Sequence, residues 1–169
     1  LAASPRPPAR PPLVLVGASM GGAVALRAAG KLQPSAVVLV NAVVPRPWAR
    51  ATERNPADKE IPPVLKWAGT SLERTARALP DSTPEMHAYA CERWRDESGA
   101  VMRELRDEYA YANAGAPPPL GTRTLFVVGG DDRDVPPEQQ LAWAADWGAP
   151  ALVRPGMSHC GPLLGRDSP

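Results

Sequence analysis

Gly17-Ala18-Ser19-Met20-Gly21-Gly22 is the segment of this chain whose residue types and spacing could do chemistry. It fits G-x-S-x-G, a pattern that holds a serine hydroxyl at a sharp turn. Such a hydroxyl is a weak nucleophile until a base takes its proton, and the base needs a group to orient it. The chain offers two histidines. His87 stands beside Glu85 in a stretch with helical spacing and reads as a packing or surface residue. His159 stands in Gly156-Met157-Ser158-His159-Cys160-Gly161, a loop-like run after an apolar stretch, where a base could reach a serine. Candidate orienting acids lie in Gly129-Gly130-Asp131-Asp132-Arg133-Asp134-Val135-Pro136, between the serine and His159 in chain order.

These residues need elements to carry them. Leu13-Val14-Leu15-Val16 is a short apolar, β-branched run that stops at Gly17, which predicts a buried strand. Met20–Ala29 is Ala-rich and predicts a helix stopped by Gly30. Ala36–Val40 and Thr124–Val128 predict further strands, Glu138–Trp147 a helix with Pro136-Pro137 at its start, and Ala151–Val153 a last short strand. Strand, helix, strand repeated twice, with continuously apolar strands, predicts an α/β fold: a parallel sheet covered on both faces.

In that setting the motif has a physical logic. A strand that turns straight into a helix forces its central residue into a strained backbone conformation. Gly17 and Gly21, two before and two after, would keep side chains from colliding across the turn. The Met20 amide, at the helix N-terminus, would point at the same space and could donate to a developing oxyanion.

Between the second and third predicted strands the character changes. Ser71 can cap a helix carrying Leu72, Ala76 and Leu79, and Thr83 one that starts at Pro84 and aligns Met86, Ala90 and Trp94. Val101, Leu105 and Tyr109 align on a third. The organisation expected is therefore core over 1–45, an inserted helical segment over 46–121, and core again over 122–169. Trp48, Trp67 and Trp94 are expected to supply the core of the inserted segment or to line an apolar pocket there.

Composition limits the function classes. The 169 residues suit one domain. With 19 basic and 18 acidic residues the net charge is +1, which gives no long-range pull on nucleic acid or anionic lipid. No apolar run approaches the roughly 18 residues of a membrane span. Two cysteines, Cys91 and Cys160, make no disulfide framework and point to a reducing, cytoplasmic setting. The 22 prolines are many, and residues 1–12 read as a Pro-rich linker.

The elbow, the order Ser, Asp, His and the inserted helices resemble the α/β-hydrolase family. The likeness covers nearly the whole chain: Leu13–Gly30 is similar to the nucleophile strand, elbow and helix, Ala36–Val44 to the next strand, and 46–121 to the lid many members carry. Gly129 and Asp132 with Pro136 four residues on resemble the acid loop, which favours Asp132 over Asp134. Gly156–His159 resembles the histidine loop. The resemblance implies Ser19 as nucleophile, His159 as general base, Asp132 as its orienter, and hydrolysis of an ester, thioester or amide through an acyl-enzyme, with no cofactor.

The departure is at the front. Family members carry several strands and an oxyanion loop, often beginning His-Gly, ahead of the elbow, and residues 1–12 hold neither. The chain is therefore expected to be an N-terminally truncated hydrolase. Losing one oxyanion donor typically costs about a hundredfold to a thousandfold in rate, and the open edge of strand 13–16 invites self-association.

Other readings are weaker. A dinucleotide fold would need G-x-G-x-x-G, but Ala23 stands where a further glycine is required. Tyr89, Tyr109 and Tyr111 are followed four residues on by Arg93, Asn113 and Gly115, not by the lysine of short-chain dehydrogenases. Asp131, Asp132 and Asp134 could attract a hard cation but read better as turn residues, so no metal is expected. Cys160 beside His159 reads as a packing residue. An acyltransferase, a carbon–carbon hydrolase, a haloperoxidase-like enzyme or a non-catalytic scaffold would share this pattern.

Overall fold

The structure is a computed structural model that describes residues 11–45, 48, 60–109 and 122–166. Most of the Pro-rich start and the outer parts of the 46–121 segment lie outside the described residues. So do the side chains of Leu105 and Tyr109. The core elements are β1 (Val14–Ala18), α1 (Met20–Leu32), β2 (Ala36–Val40), β5 (Arg123–Gly129), α5 (Pro137–Asp146) and β6 (Ala151–Arg154). Between β2 and β5 come β3 (Val64–Leu65), α2 (Leu72–Ala78), α3 (Pro84–Arg93), β4 (Glu97–Ser98) and α4 (Gly99–Tyr109). A short α6 (Gly161–Leu164) follows β6.

The four core strands form one parallel sheet in the order β1-β2-β5-β6. Val16 pairs with Val38, Val38 with Leu125, and Val127 with Leu152. Parallel strands need long crossovers, and α1 and α5 supply two of them. The register sets Gly17, Leu39 and Phe126 side by side on one face. Alternation along the strands adds Val37 and Val128 to that face. Val37, Leu39, Phe126 and Val128 are fully buried there against Ala25 and Ala29 of α1 and Trp143 and Ala144 of α5.

Three expectations need correction. Gly30 does not stop α1, which runs on to Leu32 and ends with Gln33 in the left-handed region at φ 49°. Gly30 costs roughly 1 kcal/mol as a helix residue, but tertiary packing of Ala25 and Ala29 against the sheet carries the helix past it. Among the described residues the second face of the sheet is only partly covered. Val14, Val16 and Leu152, on the face opposite Leu39 and Phe126, are about half or more exposed, Val16 at 64%. Trp48 does not join the inserted helices. It stacks on Trp143 at 5.7 Å and meets Trp147 edge-on, so its partners belong to the sheet-packing helix α5 and its C-cap. Trp67 and Trp94 do pair, at 5.8 Å.

The inserted helices are capped as their sequence implies. Ser71 Oγ accepts from Arg74 N at 3.2 Å and Thr83 Oγ1 from Met86 N at 3.3 Å. Their tie to the core runs through the turn between α2 and α3. Asp81 bonds Ser158, Ser82 Oγ donates to Leu164 O, and Arg166 N donates to Asp81 O. No helix among the described residues is long and apolar enough to cross a membrane.

Burial ranks the tryptophans. Trp143→Ala should cost about 3–5 kcal/mol in urea unfolding, the range for deleting a packed aromatic. Trp67→Ala, at a ring 38% exposed, should cost less than about half of that.

Candidate active site

The strand–helix junction holds Ser19 at φ 50° and ψ −123°, a conformation worth of order 1–3 kcal/mol of strain for a residue with a Cβ. Its surroundings over-determine it. Ser19 N donates to Val40 O at 3.0 Å, and Ser19 O accepts from Gly22 N and Val43 N at 3.0 and 3.1 Å. Gly17 is required by space, because a Cβ there would stand 2.3 Å from Gly21 O and 2.8 Å from Ala25 Cβ. Gly21 is not: a Cβ there meets nothing within 4 Å. The second close approach belongs to Gly22, where a Cβ would lie 2.5 Å from the Cβ of Ala42. The expected pair Gly17 and Gly21 therefore becomes Gly17 and Gly22, because side chains of successive helix residues leave in different directions and only Gly22 faces the neighbouring strand end.

The turn brings Ser19 to the ends of the strands that carry the other candidates. Ser19 Oγ lies 2.9 Å from His159 Nε2, and His159 Nδ1 lies 2.9 Å from Asp132 Oδ2. Asp132 Oδ1 accepts from the backbone N–H groups of Asp134 and Val135, both at 2.9 Å. The two side-chain contacts run in one line from a buried carboxylate to a hydroxyl, and the two backbone N–H groups hold the carboxylate's other oxygen. The Asp132 side chain is fully buried and that of His159 is 16% exposed. Burial alone would lower the imidazole. The hydrogen bond that His159 donates to Asp132 and the charges of Asp132 and Asp134 outweigh it and leave His159 above its ordinary value.

Asp132, Asp134 and His159 offer ligand atoms within 4.8 Å of one another. Both oxygens of Asp132 and both ring nitrogens of His159 are already hydrogen-bonded within the protein. Asp131 is exposed and its N–H donates to Met157 O, which makes it a turn residue. Cys160 is pushed up to about 11, first by burial and then by the charges of Asp134, Asp132 and Asp81, so it stays a thiol at neutral pH. His87 sits in α3 with Nε2 2.8 Å from Leu79 O, tying two inserted helices together. Met20 opens α1, where helix geometry leaves its N–H without a partner inside the helix.

The sequence profile of the Alpha/beta hydrolase family matches residues 1–169. The chain belongs to this family. Its fold is similar to those of several solved α/β-hydrolase structures. A variant of tomato methylketone synthase I complexed with beta-ketoheptanoate is 14% identical with a TM-score of 0.62, over 95% of this chain and 67% of that one. A methylesterase from Arabidopsis is also 14% identical, with a TM-score of 0.61, over 89% of this chain and 62% of that one. A thermophilic esterase from Thermogutta terrifontis (malate bound) is 22% identical with a TM-score of 0.56, over 89% and 59%. The chain thus spans about two thirds or less of their length. No curated protein matches it.

Within this α/β-hydrolase frame two supports of the candidate site were not visible in the sequence. Asp81, from the inserted segment, accepts from Ser158 N at 2.9 Å and from Ser158 Oγ at 2.5 Å, gripping the residue before His159. Gly161 makes room, since a Cβ there would sit 2.1 Å from Asp81 Oδ2. Gln140 of α5 is almost fully buried and donates to Val135 O at 3.0 Å, holding the turn that feeds Asp132. Both contacts join residues from separate elements, and only the order Asp81, Ser82, Thr83 hinted at a polar turn.

The elbow separates two glycines of the same motif. Gly17→Ala should unfold at markedly lower temperature, by at least the roughly 1–3 kcal/mol of ordinary overpacking. Gly21→Ala should be neutral or stabilising by up to about 1 kcal/mol, the helix preference for alanine. Thermal melts of the two variants against the parent measure the difference, and equal losses would contradict the geometry.

Proposed function

We propose that the chain carries the catalytic part of a serine hydrolase that cleaves a small or medium apolar carboxylic ester or related acyl compound. One observation carries the reading: the unbroken hydrogen-bonded line from buried Asp132 through His159 to Ser19, each link 2.9 Å. His159 Nε2 takes the proton of Ser19 as Oγ attacks the acyl carbon. Met20 N–H donates to the oxyanion that forms. His159 then gives the proton to the departing alcohol, and the acyl-enzyme forms. Water, deprotonated by the same nitrogen, attacks the acyl carbon, and the acid leaves with Ser19 restored. Asp132 accepts from Nδ1–H, so that Nε2 is the free base. The described helices of the inserted segment, tied at Asp81 to the histidine loop, would act as a lid over this site.

A fluorophosphonate probe, followed by intact mass and peptide mapping, tests the reading. Label on Ser19 that disappears in Ser19→Ala is expected. Label elsewhere, or equal label in the variant, refutes it. The labelling rate should rise with pH through a midpoint above the ordinary ~6.5 of histidine, because only neutral His159 accepts the proton. In Asp132→Asn the rate should fall by about 10⁴, and the residual profile should shift to lower pH. The same pairing stabilises the fold fully below about pH 6.5 and fades as pH rises through the folded-state value of His159.

A second reading, self-association through β1, is favoured by the edge itself. The strand pairs only with β2 among the described strands, and Leu13, Val14 and Val16 are 42–64% exposed. Sedimentation should show mass rising with concentration, and Val16→Lys should suppress it. A monomer at every concentration would dismiss this reading.

A further inference from the structure

Asn41 follows β2 and is 1% exposed, with φ 42°. A buried amide is costly unless each polar atom finds a partner. Here each does. Oδ1 accepts from Gly129 N at 2.7 Å, while Nδ2 donates to His159 O at 2.6 Å and to Ser158 O at 3.2 Å. The backbone N–H of Asn41 donates to Val127 O at 2.9 Å. The orientation of the amide follows from these partners, since a flipped group would set its oxygen against two carbonyls and its N–H against another N–H.

The three side-chain partners belong to two loops of the candidate site, and the backbone on either side of Asn41 holds the third. Gly129 ends β5 and roots the acid loop, its carbonyl accepting from Asp132 N at 3.3 Å. Ser158 and His159 form the histidine loop. On the other side, Val40 O, one residue before Asn41, receives Ser19 N, and Val43 N, two residues after, donates to Ser19 O. β6, which feeds the histidine loop, is separated from β2 by β5 and does not touch β1. The sheet ladder therefore relates Ser19 to His159 only through two intervening strands. The Asn41 side chain crosses that distance directly. Gly129 permits the joint, because a Cβ there would stand 2.7 Å from both Met157 O and Ser158 O and 3.0 Å from Asn41 Nδ2.

We infer that Asn41 is a positioning residue: its buried amide fixes the backbone of His159 and the root of the Asp132 loop against the Ser19 elbow. The role rests on the triad reading proposed above. Asparagine suits it twice, since it supplies one acceptor and two donors at one point and tolerates a left-handed backbone better than most residues. The groups that face His159 are Asp132 and Asp134 from the acid loop and Ser19 from the elbow. Asp81, from the inserted helices, acts through Ser158.

Asn41→Gly isolates the side chain, because glycine accepts φ 42° freely. Asn41→Asp keeps the shape and the acceptor for Gly129 but turns an oxygen toward the two carbonyls. Two measurements apply to folded protein: saturation kinetics of fluorophosphonate labelling, and an NMR titration of the His159 imidazole. The expected result for Asn41→Gly is a maximal labelling rate about ten- to a hundredfold lower at an unchanged half-saturating concentration. The His159 midpoint should move down towards ~6.5. In Asn41→Asp the rate should fall at least as far, and the rate alone is diagnostic, since the new carboxylate itself raises the imidazole. A folded variant with a rate within about twofold of the parent and an unmoved His159 overturns the inference. Loss of folding in both variants overturns it too, in favour of a purely structural role. An unlabelled parent would refute the hydrolase reading separately, and the titration would still decide whether Asn41 sets the imidazole.

Discussion

The backbone of Ser19 is the constraint from which the rest of the candidate site is arranged. A residue with a Cβ at φ 50° persists only where its neighbours leave no cheaper conformation. The carbonyl of Val40 and the amide of Val43 hold Ser19 from the β2 side, and the absence of a side chain at Gly17 lets the first turn of α1 close down. The strain has a geometric return: the hydroxyl leaves the sheet at its carboxyl end, where β5 and β6 also deliver their loops. Parallel strands make this possible, because all of them end on the same side.

Charge follows from placement. Asp132 is buried, a placement that would be expensive for a carboxylate if its oxygens were not occupied. Two backbone N–H groups take one oxygen and the imidazole takes the other. Satisfying the carboxylate and orienting the base are thus one set of bonds. The same negative surroundings, together with burial, hold the adjacent Cys160 in its thiol form.

The core explains why this corner is firm. Val37, Leu39, Phe126 and Val128 are sealed between α1 and α5, and Trp48, Trp143 and Trp147 close the α5 end with ring contacts of 5.0 to 6.4 Å. The opposite face of the sheet is open at Val14, Val16 and Leu152. The candidate site draws its rigidity from the packed face and from polar joints at buried Asn41 and Gln140 and half-buried Asp81, not from symmetric burial of the sheet.

Local patterns made much of this legible in the residues alone. Short apolar β-branched runs ending in glycine mark strands, Ser71 and Thr83 mark helix starts, and Ser19, Asp132 and His159 stand in loops after three of those strands. Each of these signals concerns neighbours along the chain, where steric and hydrogen-bonding preferences act without the fold. The misreadings also have local causes. Gly30 carries a stop signal that packing overrides, Gly21 matches the motif while Gly22 makes the contact, and Trp48 sits in the inserted stretch yet packs on α5. What only the tertiary structure decided is which distant groups meet. Asn41 to His159, Asp81 to Ser158 and Gln140 to Val135 depend on strand order and on how the inserted helices seat. A buried polar bond between elements leaves no period or spacing in the sequence, because its strength comes from the surroundings that exclude water and not from either residue by itself.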